Sequence, residues 1–153
     1  MVRPAEFPRE LAAVRAIFLE YEKGTGISLC FQGFEQEVAT LPGKYAPPAG
    51  RLHLAVDGGD IIGCIALRAL DPAICEMKRL YVRPSHRGRG VGRMLAARLI
   101  EDARAIGYDT MRLDTLETWV PAVELYRSLG FQPTTRYNDD PDPHTLFMAL
   151  RLR

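Results

Sequence analysis

The sequence predicts an α/β (α+β) fold, a sheet with helices packed on it. Three observations lead there. Apolar residues switch along the chain between a period near 3.6 and a period near 2. Asp57–Gly58–Gly59, between two apolar runs, is a hairpin signal. Residues 74 to 115 run strand, glycine-rich turn, helix, strand, an order that suits a right-handed parallel crossover.

In chain order, Leu11, Val14, Phe18 and Tyr21 share a helical stripe that Gly24 is expected to close. Residues 33 to 43 predict a shorter helix that ends at Pro42–Gly43. Pro47 and Pro48 exclude helix and mark a connecting loop. Two strands flank the hairpin signal, and a third covers residues 73 to 84, stopped by Pro84. Val91, Leu95, Leu99, Ala103 and Ile106 then fall on one helical face, with Gly107 as its stop. Residues 108 to 116 predict a strand. The next helix has Thr118 near its N-cap, Pro121 in its first turn and Gly130 after its end. Residues 131 to 137 and 144 to 153 predict two last strands, joined by a polar loop. No internal repeat or low-complexity tract is present.

A chain of 153 residues is long enough to bury a core and is read as one domain, residues 1 to 153. Its 47% hydrophobic and 25% charged residues and net charge of +1 are ordinary for a soluble protein. That balance gives no general reason to expect a nucleic acid or a membrane as partner. No apolar run approaches the roughly 20 residues that span a bilayer, and the first residues lack the apolar centre of a secretory signal. Cys30, Cys64 and Cys75 form no C-x-x-C pair, and His53, His86 and His144 are isolated. Neither a disulfide framework nor a metal site is expected, and a reducing cytoplasm is the expected compartment.

Against this neutral background one stretch is strongly biased. Between Met77 and Ile100 there is no acidic residue, against seven Lys or Arg, and the segment centres on RGRGVG between a strand and a helix. A helix N-terminus exposes N–H groups without intrahelical partners and carries about half a positive charge. Glycines let an anion approach those amides, and arginines add forked donors. The pattern points to a phosphate or pyrophosphate ligand. No Gly-Lys-Ser/Thr follows, which excludes a Walker loop, and Gly88-x-Gly90-x-Gly92 lacks the dinucleotide spacing.

What remains is Arg87-x-x-Gly90-x-Gly92. It resembles the acyl-CoA pyrophosphate loop of the GNAT N-acetyltransferase superfamily, whose pattern is Arg/Gln-x-x-Gly-x-Gly/Ala. CEMKRLYVRPSHRGRGVGRMLAARLIEDARAIGY is similar to the family's motif A, and RLDTLETWVPAVELYRSLGF to its motif B. Together they cover about residues 74 to 136. The opening VRPA resembles the family's first strand, and the remaining N-terminal half agrees in element order. The resemblance implies a mixed, mostly antiparallel twisted sheet with helices on both faces, ordered β-α-α-β-β-β-α-β-α-β-β. It also implies an acetyl-CoA-dependent transferase acting on an amine, with direct transfer in a ternary complex.

Such chemistry must deprotonate an ammonium, polarise a thioester carbonyl and stabilise a departing thiolate. An alkylammonium has a pKa of about 10.4, so a base or a water chain must help it. Glu76 is the candidate base: strand alternation places it on one face with Lys78, Leu80 and Val82. It resembles the base glutamate of the histone-acetyltransferase branch; a salt bridge to Lys78 or a nearby arginine is the competing explanation. Tyr126 matches the motif-B tyrosine that faces the CoA sulfur as general acid, or it packs in the core with Val123 and Leu129. For that acid role it needs a depressed pKa, or else it acts as a hydrogen-bond donor. The resemblance further implies that backbone groups of Leu80, Tyr81 and Val82 align the pantetheine arm and polarise the carbonyl. The amides of Arg87, Gly88, Arg89, Gly90, Val91, Gly92 and Arg93 would hold the pyrophosphate. Trp119 stands where many relatives have Asn, and it covers the cofactor, lines the acceptor channel or is buried against the sheet.

The acceptor, a small-molecule or peptide amine, is expected near the N-terminal helices and the last loop. Glu35, Glu37, Asp139, Asp140 and Asp142 would attract a cation or form solvated faces. Tyr21, Phe31, Phe34, Tyr45 and Tyr137 would line the pocket or pack in the core, and His144 would assist proton transfer or stand apart. The last strand, LFMALRLR, offers an edge for a homodimer. A non-catalytic acyl-CoA-binding module is the alternative function; it needs the glycine loop but neither Glu76 nor Tyr126.

Overall fold

A computed structural model of the chain describes residues 1–26, 29 and 33–153; Cys30 and Phe31 lie outside the described residues. The elements are β1 (Val2–Pro4), α1 (Leu11–Thr25), α2 (Phe34–Ala39), β2 (Arg51–Asp57), β3 (Asp60–Ala69), β4 (Ile74–Val82), α3 (Val91–Ile106), β5 (Thr110–Leu116), α4 (Val120–Ser128), β6 (Gln132–Pro133) and β7 (Thr145–Arg151). This is the expected order. The strands form one seven-stranded sheet in the order β1-β2-β3-β4-β5-β7-β6, antiparallel throughout except for the β4–β5 pair.

Strand alternation delivers side chains to two apolar layers. On one face Leu52 and Leu54 of β2 and Cys64 and Ala66 of β3 meet Val14, Ile17 and Phe18 of α1 and Phe34 of α2. On the other, Ile65 and Leu67 of β3 and Met111 and Leu113 of β5 meet Leu95, Leu99 and Ala103 of α3 and Tyr126 of α4. Burying a leucine of this kind contributes about 1.5–3 kcal/mol. Gly58 and Gly59 both take positive φ, 58° and 92°, as a two-residue hairpin turn requires.

Three details differ from expectation. Helix α1 continues through Gly24 and stops at Gly26, whose left-handed φ of 70° lets its N–H bond the Lys23 carbonyl. The strand expected over residues 131 to 137 is reduced to Gln132–Pro133, followed by one more backbone bond to β7, from the Thr134 N–H to the Phe147 carbonyl at 2.8 Å. Strand β7 is interior, paired with β5 along its length and with β6 at Met148 and Ala149, so only part of its outer edge is open.

A further difference shapes the site. Ala66 faces Lys78 and Cys64 faces Tyr81, so Ile65 is opposed by both Arg79 and Leu80, a β-bulge. Arg79 takes a φ of 61°, a left-handed conformation that side chains other than glycine rarely adopt. Glu37 of α2 holds its guanidinium through two hydrogen bonds of 2.8 and 2.9 Å. The rings of Phe34 and Tyr21 lie 5.0 and 5.6 Å from it. The bulge corrects the expected alternation of β4. Leu80 and Val82 pack towards α3, whereas Glu76 faces Arg68 and Tyr137 on the opposite side of the sheet.

Candidate active site

Strands β4 and β5 pair only at Ile74–Thr110, Cys75–Met111 and Glu76–Arg112. Beyond that point they part, and a gap of about 100 Å³ opens between Met77–Leu80 and Leu113–Thr115. On one side the gap meets a groove of about 620 Å³, with Tyr21, Leu80, Trp119 and Ala122 lining both. On the other it meets a polar cavity of about 500 Å³, with Lys78 common to the two. The gap therefore lies between groove and cavity, where the ladder is open, and shares lining residues with both.

The groove gathers most of the expected cofactor residues: Leu80, Tyr81 and Val82 from β4, and Arg87, Gly88, Gly90, Val91, Gly92 and Arg93 from the turn and the start of α3. Arg89 is exposed on the turn and is not among the lining residues. Gly88 and Gly90 have φ of 77° and 80°, so any side chain there would strain the backbone. Gly90 is the residue immediately before α3 and leaves the first amides of that helix uncovered. No acidic side chain lines the groove among the described residues. The arginines have local duties as well. Arg87 Nε donates to the Val82 carbonyl at 2.8 Å, and its guanidinium lies 5.6 Å from the Tyr81 ring. Arg93 donates to Ser128 Oγ at 2.6 Å, and Arg83 pairs with Glu20 at 3.1 Å. The groove thus fits a phosphorylated ligand through amides and cations, with no carboxylate among the described residues that line it.

Tyr126 lines the gap with its ring edge-on to Phe131 at 5.9 Å. Burial, reinforced by the neighbouring Tyr21 and Asp114, pushes its pKa well above the usual tyrosine value. It therefore stays protonated and suits hydrogen-bond donation better than full proton release. Trp119 caps the start of α4 and lines both gap and groove.

The cavity joins residues that the sequence placed at the acceptor, Glu37, Tyr45 and Asp139, to Arg68, Glu76 and Lys78 of the sheet. Glu76 is 1% exposed; Arg68 Nε donates to one of its oxygens at 2.8 Å, and the Tyr137 hydroxyl to the other at 2.6 Å. Burial alone would raise its pKa, but Lys78, Tyr137 and Arg68 together hold it below the ordinary value. Lys78, buried between Glu76 and Asp114, has its own pKa lowered by that burial. Glu37, Tyr45 and Asp139 also line this cavity, whereas Glu35 is exposed. Asp140 accepts bonds from Thr145 Oγ1 and the Asp142 amide as part of the loop's own structure. His144 is exposed and bonds Glu117 at 2.7 Å, away from the cavity. Lys78, expected on the face of Glu76, lies 3.8 Å from its carboxylate; Arg68 and Asp114 are the residues missed. Their only signal was period-2 placement on the polar side of strands, which the bulge and the strand pairing had to complete.

Comparison with known proteins agrees with this geometry. The model of the Acetyltransferase (GNAT) family matches residues 13–131. An uncharacterised N-acetyltransferase of Schizosaccharomyces pombe is 39% identical over 153 residues, covering 99% of this chain and 94% of the relative. The structure of a putative acyl-CoA N-acyltransferase from Klebsiella pneumoniae superposes with a TM-score of 0.78 at 25% identity, covering 100% of this chain and 97% of that one. A putative acetyltransferase from Salmonella typhimurium, solved with its cofactor acetyl-CoA, superposes with a TM-score of 0.77 at 22% identity, covering 100% and 94%. Amide-rich groove, open strand pair and family match converge: the chain belongs to the Acetyltransferase (GNAT) family and is an acyltransferase.

Proposed function

We propose that the chain is a single transferase domain that moves an acetyl group from acetyl-CoA to a primary amine, by direct attack within a ternary complex. The observation that carries this reading is the open β4–β5 pair, which joins a groove free of acidic side chains to a separate polar cavity. The Salmonella typhimurium neighbour, solved with acetyl-CoA, supports the choice of cofactor. Acetyl-CoA supplies the activated thioester.

The protein's residues divide the remaining work. Amides from Arg87 to Arg93 bind the pyrophosphate at the start of α3, and the edge of β4 from Leu80 to Val82 aligns the pantetheine arm. A backbone amide freed by the strand parting polarises the carbonyl. The Tyr126 hydroxyl donates to the sulfur as it departs. The acceptor ammonium enters through the cavity, where it meets Glu76, the base expected from the sequence, and Asp114.

Calorimetry with acetyl-CoA, CoA, ATP and NAD tests the cofactor assignment, and thiol release with a panel of primary amines tests the reaction. Micromolar binding of acetyl-CoA and CoA, without ATP or NAD binding, is expected. A folded protein that binds none of the four refutes the proposal.

A further inference from the structure

Two of the carboxylates near the β4–β5 opening, Glu76 and Asp114, differ in position. Glu76 lies in the paired part of β4, opposite Arg112 of β5, with both oxygens engaged. Asp114 lies two residues beyond Arg112, where the strands have parted, and it lines the gap with Leu80 and Tyr126. Asn138 Nδ2 donates to Asp114 Oδ2 at 2.7 Å, and no described residue donates a hydrogen bond to Oδ1.

From this placement we infer that Asp114 is a catalytic residue of the acyl transfer, the carboxylate that takes the proton from the acceptor ammonium. The inference rests on the acetyltransferase reading above. In the step, the ammonium gives one proton to Asp114, and the nitrogen lone pair forms the N–C bond as the C–S bond breaks. The second nitrogen proton passes to water, and the sulfur departs as a thiolate that accepts a hydrogen bond from the Tyr126 hydroxyl. Asp114 then returns its proton to water through the cavity.

The electrostatics agree. Asp114 is faced by Glu76 and Lys78 of β4, Tyr21 of α1, Tyr126 of α4, and Tyr137, Asn138 and Asp140 of the last loop. Arg112 is its neighbour on β5. Burial, with the charges of Glu76 and Asp140, raises its pKa above the usual aspartate value against the opposing pull of Lys78 and Asn138. Glu76 is shifted the other way. Neighbouring carboxylates pushed apart in this manner take different roles, the more basic one collecting protons.

The test uses Asp114→Asn, which keeps an oxygen for the Asn138 amide, beside Glu76→Gln. Turnover is measured with glycine, L-phenylalanine, tyramine, spermidine and Nα-acetyl-lysine as acceptors. Carboxyl carbons of the CoA-bound wild type are titrated by NMR. Asp114→Asn is expected to lower kcat about 100-fold, more than Glu76→Gln, while acetyl-CoA affinity changes by less than about twofold. The Asp114 carboxyl is expected to titrate above the usual aspartate range and Glu76 below the usual glutamate range. Turnover of Asp114→Asn within about threefold of wild type, or titration of Asp114 at or below the usual range, overturns the inference. With no substrate in the panel, the titration decides. Failure of the wild type to bind acetyl-CoA would instead sink the acetyltransferase reading, a separate outcome.

Discussion

The two sides of the β4–β5 opening are made in different ways. The groove side is largely local in sequence: Leu80 to Arg93 supply strand edge, turn and helix start, completed by Tyr21 to Thr25 and Thr118 to Leu125. The cavity side is assembled from Glu37, Arg68, Glu76, Lys78, Asp114 and Asn138, drawn from five separate segments and working through side chains. In the proposed reading a cofactor common to the family is held by main chain, which tolerates side-chain drift, and the acceptor is met by side chains that substitution changes one at a time.

The comparison predicts that single substitutions on the groove side abolish cofactor binding, whereas those on the cavity side spare it. The largest effect belongs to Gly90→Glu. It places an L side chain at a φ of 80° and a carboxylate at the anion site, and should weaken acetyl-CoA binding at least about 100-fold by calorimetry. Tyr126→Phe removes only the donor at the gap. It should lower kcat about 10-fold to 100-fold with the KM for acetyl-CoA nearly unchanged. A matching rise in KM would place Tyr126 in binding, not in leaving-group stabilisation.

The groove was legible in the sequence because its signal is local. Glycines, arginines and a helix start fall within a dozen residues, and the hairpin glycines fixed β2 and β3 equally directly. The bulge was not legible, because nothing near Arg79 marks a left-handed residue. Its conformation is enforced by Glu37, 42 residues away, and by the rings of Phe34 and Tyr21. Missing the bulge misassigned the face of Glu76 relative to Leu80. Asp114 was missed for a related reason: its meaning depends on where β4 and β5 separate, a property of strand pairing and not of either strand alone.

Smaller effects sharpen the same contrast. Glu37→Gln removes the carboxylate that accepts two hydrogen bonds from the buried Arg79 guanidinium. It should lower stability in urea by about 2–4 kcal/mol and acceptor turnover with it, while cofactor affinity recovers wherever the protein is folded. The Arg3–Glu10 pair, remote from both sides, is a control. Arg3 bonds both Glu10 oxygens at 2.8 Å and holds the Glu10 pKa at about 2. A carboxylate with a depressed folded pKa stabilises the fold above its unfolded pKa of about 4.3 and loses that contribution as pH falls towards 2. Glu10→Gln should therefore lower stability by about 1 kcal/mol at pH 7, with the difference from wild type vanishing near pH 2. Acetyl-CoA binding at pH 7 should not change.

The most direct test of a two-sided site is a titration of acetyl-CoA into ¹⁵N-labelled protein, followed amide by amide. The largest shifts should fall on Leu80 to Val82 and Arg87 to Arg93, with Gln36, Thr40 and Asp139 of the cavity rim nearly still. Shifts concentrated on the cavity rim, or spread evenly over both sides, would contradict the division of the site on which this account rests.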